Sequence, residues 1–314
     1  MHPHRAATLS LIAAVATMVV WGANFAVTKY VLGYIAVGPF LFIRFLTLPL
    51  LGFAALALVY RRHFAKSLPR RADWPRFAAA GLIGHTLHVG IVTWGIDLST
   101  AFSSSLVLTS GPLFTLLILA LLGAERLRRS QLAGTLLAFA GIVLFLSDKF
   151  VSGISRAGFG DLVLLSASAL FSFYTVITKP LVERYGPLPL LAWTLAVGAP
   201  PLVLVTLPSF LAAPLGAVPA TAWFGMFWAS VVSAFFGWLV WVWVNAVRGV
   251  ARSAPLMYLM PPTAGVVAWL MLGEQFTALK LAGAALTMSG VAWAQYAGRG
   301  RRDAARVVTQ PDPG

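Results

Sequence analysis

The chain has 314 residues; 59% belong to the apolar set AVILMFWYC, only 10% are charged, and the mean hydropathy is +0.85. A soluble domain carries roughly a quarter of its residues as charged groups, so this composition excludes a soluble enzyme, a fibrous protein and a disordered one. There is no cysteine, hence no disulfide, thiolate catalyst or cysteine-based zinc site, and the net charge of +14 lies in loops, which suits a membrane protein without a nucleic-acid partner.

A helix that crosses the hydrocarbon core needs about 20 mostly apolar residues, and ten stretches of the chain approach that length. The first is Thr8–Thr28; no small-residue cleavage site stands out after it and further spans follow at once, so it reads as a retained helix rather than a signal peptide. Next come Pro39–Tyr60, Arg76–Ile96, Phe102–Leu122 and Gln131–Ser147. The second group is Asp161–Leu181, Leu188–Leu207, Ala222–Val244, Ser253–Leu272 and Leu279–Ala297. The longest connection, Arg61–Pro75, is basic and contains two prolines. Transmembrane barrel strands alternate apolar and polar residues, whereas these stretches are apolar nearly throughout. The expected fold is an all-α integral membrane protein of ten transmembrane helices.

Lysine and arginine accumulate on the cytoplasmic side of membrane proteins. With the N-terminus in the cytoplasm, ten spans return the C-terminus there, and that side collects 18 of the 23 basic residues. The outer side keeps Lys29, Lys149, Arg156 and Lys280, and Arg44 falls within a span.

The chain also resembles itself at an offset of 149. Pro112, Glu125, Gly134 and Gly141 recur as Pro261, Glu274, Gly283 and Gly290, and Trp94 as Trp243. Thr28-Lys29 recurs as Thr178-Lys179 at an offset of 150. The expected units are therefore 1–148 and 149–298, followed by a basic tail, 299–314, expected to be disordered in the cytoplasm. Each copy holds five spans, an odd number, so the second enters the membrane from the opposite side. Such inverted five-helix repeats are a common plan of secondary transporters, which rock two halves about a midplane site; channels use them too.

Several short motifs are familiar. Trp21-Gly22-Ala23-Asn24-Phe25 with Lys29, Arg44-Phe45, Gly123-Ala124-Glu125-Arg126-Leu127, Gly160-Asp161-Leu162 and Leu272-Gly273-Glu274-Gln275 together resemble the EamA-type branch of the drug/metabolite transporter superfamily. The resemblance covers roughly Thr8 to Ala297, in both copies. It implies a ten-helix metabolite exporter of a bacterial inner membrane and leaves the substrate open.

Lipid-facing helices need no polar stripe, so a stripe of small and polar residues marks either close helix packing or a cavity. The third span carries Gly81, Gly84, His85, His88, Val92 and Gly95 on one face, matched in the eighth by Ser230, Ser233, Ala234, Gly237, Trp241 and Val244. The first span offers Thr17, Trp21, Asn24 and Thr28, and the sixth Ala167, Phe171, Tyr174 and Thr178. The fourth and ninth add Ser104, Gly111 and Thr115, and Tyr258, Gly265 and Trp269. The candidate substrate path is Trp21, Asn24, His85, His88, Ser104, Tyr174, Ser230, Ser233, Trp241 and Tyr258. Helix packing competes with this reading for the serines, and interfacial anchoring for the tryptophans.

His85 and His88 lie one turn apart in mid-span, where an ionisable residue is a functional candidate by default. The small multidrug relatives in the superfamily depend on a first-helix glutamate, and no acidic residue occurs in Thr8–Thr28 here. If protons drive transport, the two histidines are the groups to carry them. Two histidines are too few for a metal site, and neither metal nor cofactor is expected. Lys29, Arg44 and Lys179 are candidate gate or helix-end residues, with snorkelling as the structural alternative. The expected partners are a small-molecule substrate, such as an amino acid, and membrane lipid, with the protein a monomer or homodimer.

Three rivals remain. Gly158-Phe159-Gly160-Asp161 matches the pattern of intramembrane aspartyl proteases, but Asp97 and Asp148, the other candidate aspartates, lie at span ends. A passive channel would need a continuous polar lining. A lipid flippase would need a lateral opening between helices.

Overall fold

A computed structural model describes residues 3–121, 129–151, 155–248 and 254–296. Among the described residues there is no strand, and the ten apolar stretches are helical apart from one turn at Ser110. Helices α1 (Pro3–Leu32) and α2 (Val37–Tyr60) are continuous. The third stretch changes winding in its middle: α3 (Trp74–Ala80) runs into a π-helical segment, π1 (Gly81–Val89), and then α4 (Gly90–Leu98). The fourth comprises α5 (Ala101–Thr109) and α6 (Gly111–Leu121). Next come α7 (Arg129–Val151), α8 (Arg156–Tyr185) and α9 (Pro187–Leu211). The eighth stretch repeats the design of the third as α10 (Ala220–Phe227), π2 (Trp228–Phe236) and α11 (Gly237–Arg248). A tight 3-10 turn, Ala254–Leu259, leads into α12 (Met260–Leu272), and α13 (Ala278–Tyr296) ends the described chain.

The unbroken fourth span expected from the sequence is corrected to two helices. Pro112 has no N–H to return to Leu108, and its ring crowds that carbonyl. Serines of α8 take up the freed backbone groups: Ser172 Oγ donates to the Gly111 carbonyl at 2.7 Å and Ser168 Oγ approaches that of Leu108 at 3.5 Å. Broken helices persist in membranes only where neighbours satisfy the backbone in this way. The ninth stretch divides for a related reason, since proline is favoured in the first helical turn and α12 opens with Pro261 and Pro262. Gly186, at φ +78°, ends α8 and starts α9 in a left-handed conformation suited to glycine.

Seven helices among the described residues are long and apolar enough to cross a membrane, and Leu256–Leu272 and Ala278–Ala294 are shorter apolar helices. Large apolar side chains point outward, among them Leu50, Val59, Leu204 and Val205, the last 78% exposed. In water such a surface would aggregate; in lipid it is the solvated face. The protein is an all-helical, multi-pass membrane protein.

Inside, packing is set by small residues. Helix α1 lies against α11 and α12, while α8 lies against α4, π1 and α6. Helices α7 and α13 cross at glycines: Gly134 meets Ala294, Gly141 meets Thr287, Gly283 meets Phe145 and Gly290 meets Ala138, each too closely to admit a Cβ. Shifting every partner by the 149-residue offset turns the Gly134–Ala294 contact into Phe145–Gly283, and Gly141–Thr287 into Ala138–Gly290. Without a hydrophobic force between helices in lipid, such close approach is what holds them together. A Cβ at Gly141 would lie 2.8 Å from Thr287 Cα. Gly141→Val is therefore expected to destabilise the protein by about 2 kcal/mol through overpacking. Gly216→Ala, with open space around its Cβ position, is the neutral control; thermal unfolding in detergent compares them.

Candidate functional site

Near the middle of the bundle, four elements contribute rings to one cluster: Trp21 of α1, His85 and His88 of π1, Phe171 and Tyr174 of α8, and Trp238 and Trp241 of α11. Ring centroids separate His88 from Phe171 by 5.1 Å, His85 from Tyr174 by 5.9 Å and Tyr174 from Trp238 by 6.2 Å. Trp21 completes it, 6.5 Å from Trp238 and 5.8 Å from Trp241. Tilted and edge-to-face pairs of this kind are favourable and present an apolar, polarisable wall.

Four of these rings are held from behind. Trp21 Nε1 donates to the Ser233 carbonyl at 2.9 Å, while Gly237 leaves the space that the Trp21 ring fills. Tyr174 lies flat against Gly84, where any side chain would collide with it. His88 Nδ1 is 2.9 Å from the Ala167 carbonyl; a carbonyl only accepts, so this nitrogen carries the proton. His85 Nε2 is 3.0 Å from Thr194 Oγ1. The Thr194 hydroxyl donates to the Leu190 carbonyl at 2.7 Å, which makes His85 the donor to Thr194. Both tautomers are thus assigned from partners, and in each neutral ring the other nitrogen keeps an acceptor lone pair.

The π segments explain why these residues converge. A π-turn widens the helix locally and is frequent at functional sites. Here π1 carries Gly84, His85 and His88, and π2 carries Ser230 and Ser233. Both serines are 3% exposed, and Ser230 Oγ has no hydrogen-bond partner. Asn24 Oδ1 is likewise buried without a partner. Unpaired buried polar atoms are costly and need an explanation.

Other candidates lie elsewhere. Ser104 is fully buried and donates to the Thr100 carbonyl at 2.7 Å. Tyr258 packs beside Leu113, Ala138, Val291 and Ala294. Lys179 is exposed near the end of α8. Lys29 Nζ donates to the Ile96 and Asp97 carbonyls, at 3.0 and 2.5 Å, and so caps α4. Glu274 accepts from the Ala101 and Phe102 amides at 2.6 and 3.3 Å and so caps the start of α5. Asp97 pairs with Arg156 at 3.0 Å, and Asp161 accepts from Ser99. The aspartate of the protease-like pattern is therefore part of a helix-end network. The Gly123–Leu127 motif, Asp148 and the 299–314 tail lie outside the residues whose side chains are described.

Sequence reasoning passed over Trp238 and Thr194. Trp238 follows Gly237 of the eighth-span stripe, and Thr194 stands in the seventh span, outside the six helices chosen for the wall; a threonine within an apolar span was the available signal.

The profile of the EamA-like transporter family matches the chain twice, over residues 8–147 and 158–295. A protein of Streptantibioticus cattleyicolor named "Probable terminal-alkyne amino-acid exporter" is 30% identical over 92% of this chain and 94% of its own. A Salmonella typhimurium protein named "Probable amino-acid metabolite efflux pump" is 28% identical over 93% of this chain and 96% of its own. One solved crystal structure shares the fold, with a TM-score of 0.62 and 20% identity, over 93% of this chain and 99% of that one.

Proposed function

Since the chain belongs to the EamA-like transporter family, we propose that it is a secondary carrier exporting a small metabolite, an amino acid or a similar solute, across a bacterial inner membrane by alternating access. The observation that carries this reading is the ring cluster, built from helices of both sequence halves and edged by buried polar atoms without partners. The exporter names of two bacterial relatives support the solute class and direction.

The chain makes ten crossings as two inverted units, 1–148 and 149–298, with both termini in the cytoplasm. The exchange of α7–α13 contacts under the 149-residue offset supports that plan, as does the matched position of π1 and π2. Rocking of α1, π1, α8 and π2 about the ring cluster exposes it to each side in turn. Proton coupling, where it operates, runs through His85 and His88. The partners are the solute and surrounding lipid, and the carrier acts as a monomer or homodimer without cofactor, metal or nucleic acid.

Counterflow in proteoliposomes tests this. Vesicles preloaded with single amino acids should accumulate the labelled solute transiently, with one preload outperforming the rest. Equilibration without counterflow would indicate a channel; movement of labelled phospholipid alone would indicate a flippase.

A further inference from the structure

Arg44 is a cation without an anion. It stands seven residues into α2, about 10 Å along the axis from the helix start at 1.5 Å per residue. Its Nε is buried with no hydrogen-bond partner. Among the described residues the guanidinium makes no ion pair; it lies against the Phe40 ring, with Cζ 5.9 Å from the centroid. Helix α2 packs against α9, π2 and α4, and Phe45, next to Arg44, shares a core cluster with Leu191 and Leu195 of α9 and Phe235 of π2. No carboxylate among the described residues offsets it. Charged side chains inside a membrane are as a rule paired or directed into a water-filled cavity, and they mark substrate paths.

The repeat points the same way. At the 150-residue offset that relates Thr28 to Thr178, the counterpart of Arg44 is Thr194. Thr194 reaches into the cluster and holds His85, so the equivalent position in the other half faces the site. Thr194 is satisfied by the protein, whereas Arg44 is not. Other buried polar atoms without partners include the Asn24 carbonyl oxygen and the Ser230 hydroxyl, neither of which is anionic. This set complements a solute that brings its own negative charge.

Resting on the carrier reading above, we propose that Arg44 is the anchor for the carboxylate of the transported solute. The solute is then an amino acid or related carboxylic acid whose apolar part lies against Trp21, Phe171, Tyr174 and Trp238. A guanidinium binds a carboxylate through two parallel hydrogen bonds, a geometry that an ammonium cannot copy.

Thermal shift of the full-length protein in detergent, with leucine, methionine, phenylalanine and tryptophan each set against its carboxamide, tests the anchor. At least one acid should raise the melting temperature while its amide does not. Arg44→Gln should abolish that shift, and Arg44→Lys should weaken apparent affinity at least tenfold. An amide that matches its acid, a wild-type response in Arg44→Gln, or no response to any acid overturns the proposal. If Arg44→Gln does not fold, the acid–amide comparison in the wild type decides alone. Counterflow of an uncharged solute would sink the anchor and leave the carrier standing, whereas absence of counterflow with every solute would sink the carrier reading itself.

Discussion

Replacing His88 by alanine is expected to cut the initial rate of counterflow by more than tenfold, while Arg306→Ala in the basic tail leaves it unchanged. The His88 ring touches Phe171 at 5.1 Å and its Nδ1–H holds the Ala167 carbonyl at 2.9 Å. Alanine removes both, at a cost of about 1 kcal/mol for the hydrogen bond and a similar amount for the ring contact. Each 1.4 kcal/mol is a factor of about ten. His88→Asn separates the two contributions, because an amide nitrogen can take the place of Nδ1 but offers no ring; it should recover part of the rate. Equal rates for His88→Ala and Arg306→Ala at matched expression would remove His88 from the path.

The second large effect is expected at Glu274, far from the rings. Its carboxylate receives two amides at the start of α5, at the end of the bundle that the proposed topology places outside. Hydrogen bonds to a charged acceptor contribute about 2 kcal/mol, and one to two kcal/mol shifts a two-state population by a factor of roughly 5–30. In the proposed alternating-access cycle, opening of the outer face separates the segment after α12 from α5, so Glu274→Ala should favour the outward-open state. The cysteine-free chain gives a clean background for the measurement. A single cysteine at Ser103 should react with a membrane-impermeant maleimide several-fold faster in Glu274→Ala than in the Ser103→Cys parent. Unchanged labelling would mean that Glu274 only caps α5.

Much of the architecture was legible because hydropathy reports environment directly. Ten apolar stretches were found and their described parts are helical, since a lipid-exposed backbone has to satisfy itself. The change of winding in π1 and π2 was not legible. An apolar run reads alike at either period, and Gly81 and Gly84 signalled close packing without saying that the turn itself is wider. At the site, the wheel brought Trp21, His85, His88, Tyr174, Ser233 and Trp241 to one face, and these lie together. The same wheel selected Ser104 and Tyr258, which point into other packing: α5 is buried almost all round, so its stripe had no open side. Thr194 was missed because its role depends on His85, more than a hundred residues away in the chain. Glu274 was noticed only as a repeated motif, for the amides it caps belong to the other half.

The glycine crossing of α7 and α13 has an ancestral implication. A contact surface that maps onto itself when its two sides are swapped is isologous, the kind two identical subunits present to each other. Under the proposed inverted-repeat plan, a gene encoding a single five-helix half, inserted into the bilayer in both directions, would have possessed this seam before any fusion joined two copies. The seam asks only for glycine at matched places on one helix, so duplication could preserve it while the ring-bearing helices diverged. Pairing of a separately expressed half with its complement should then depend on these four glycines more than on any residue of the transport path.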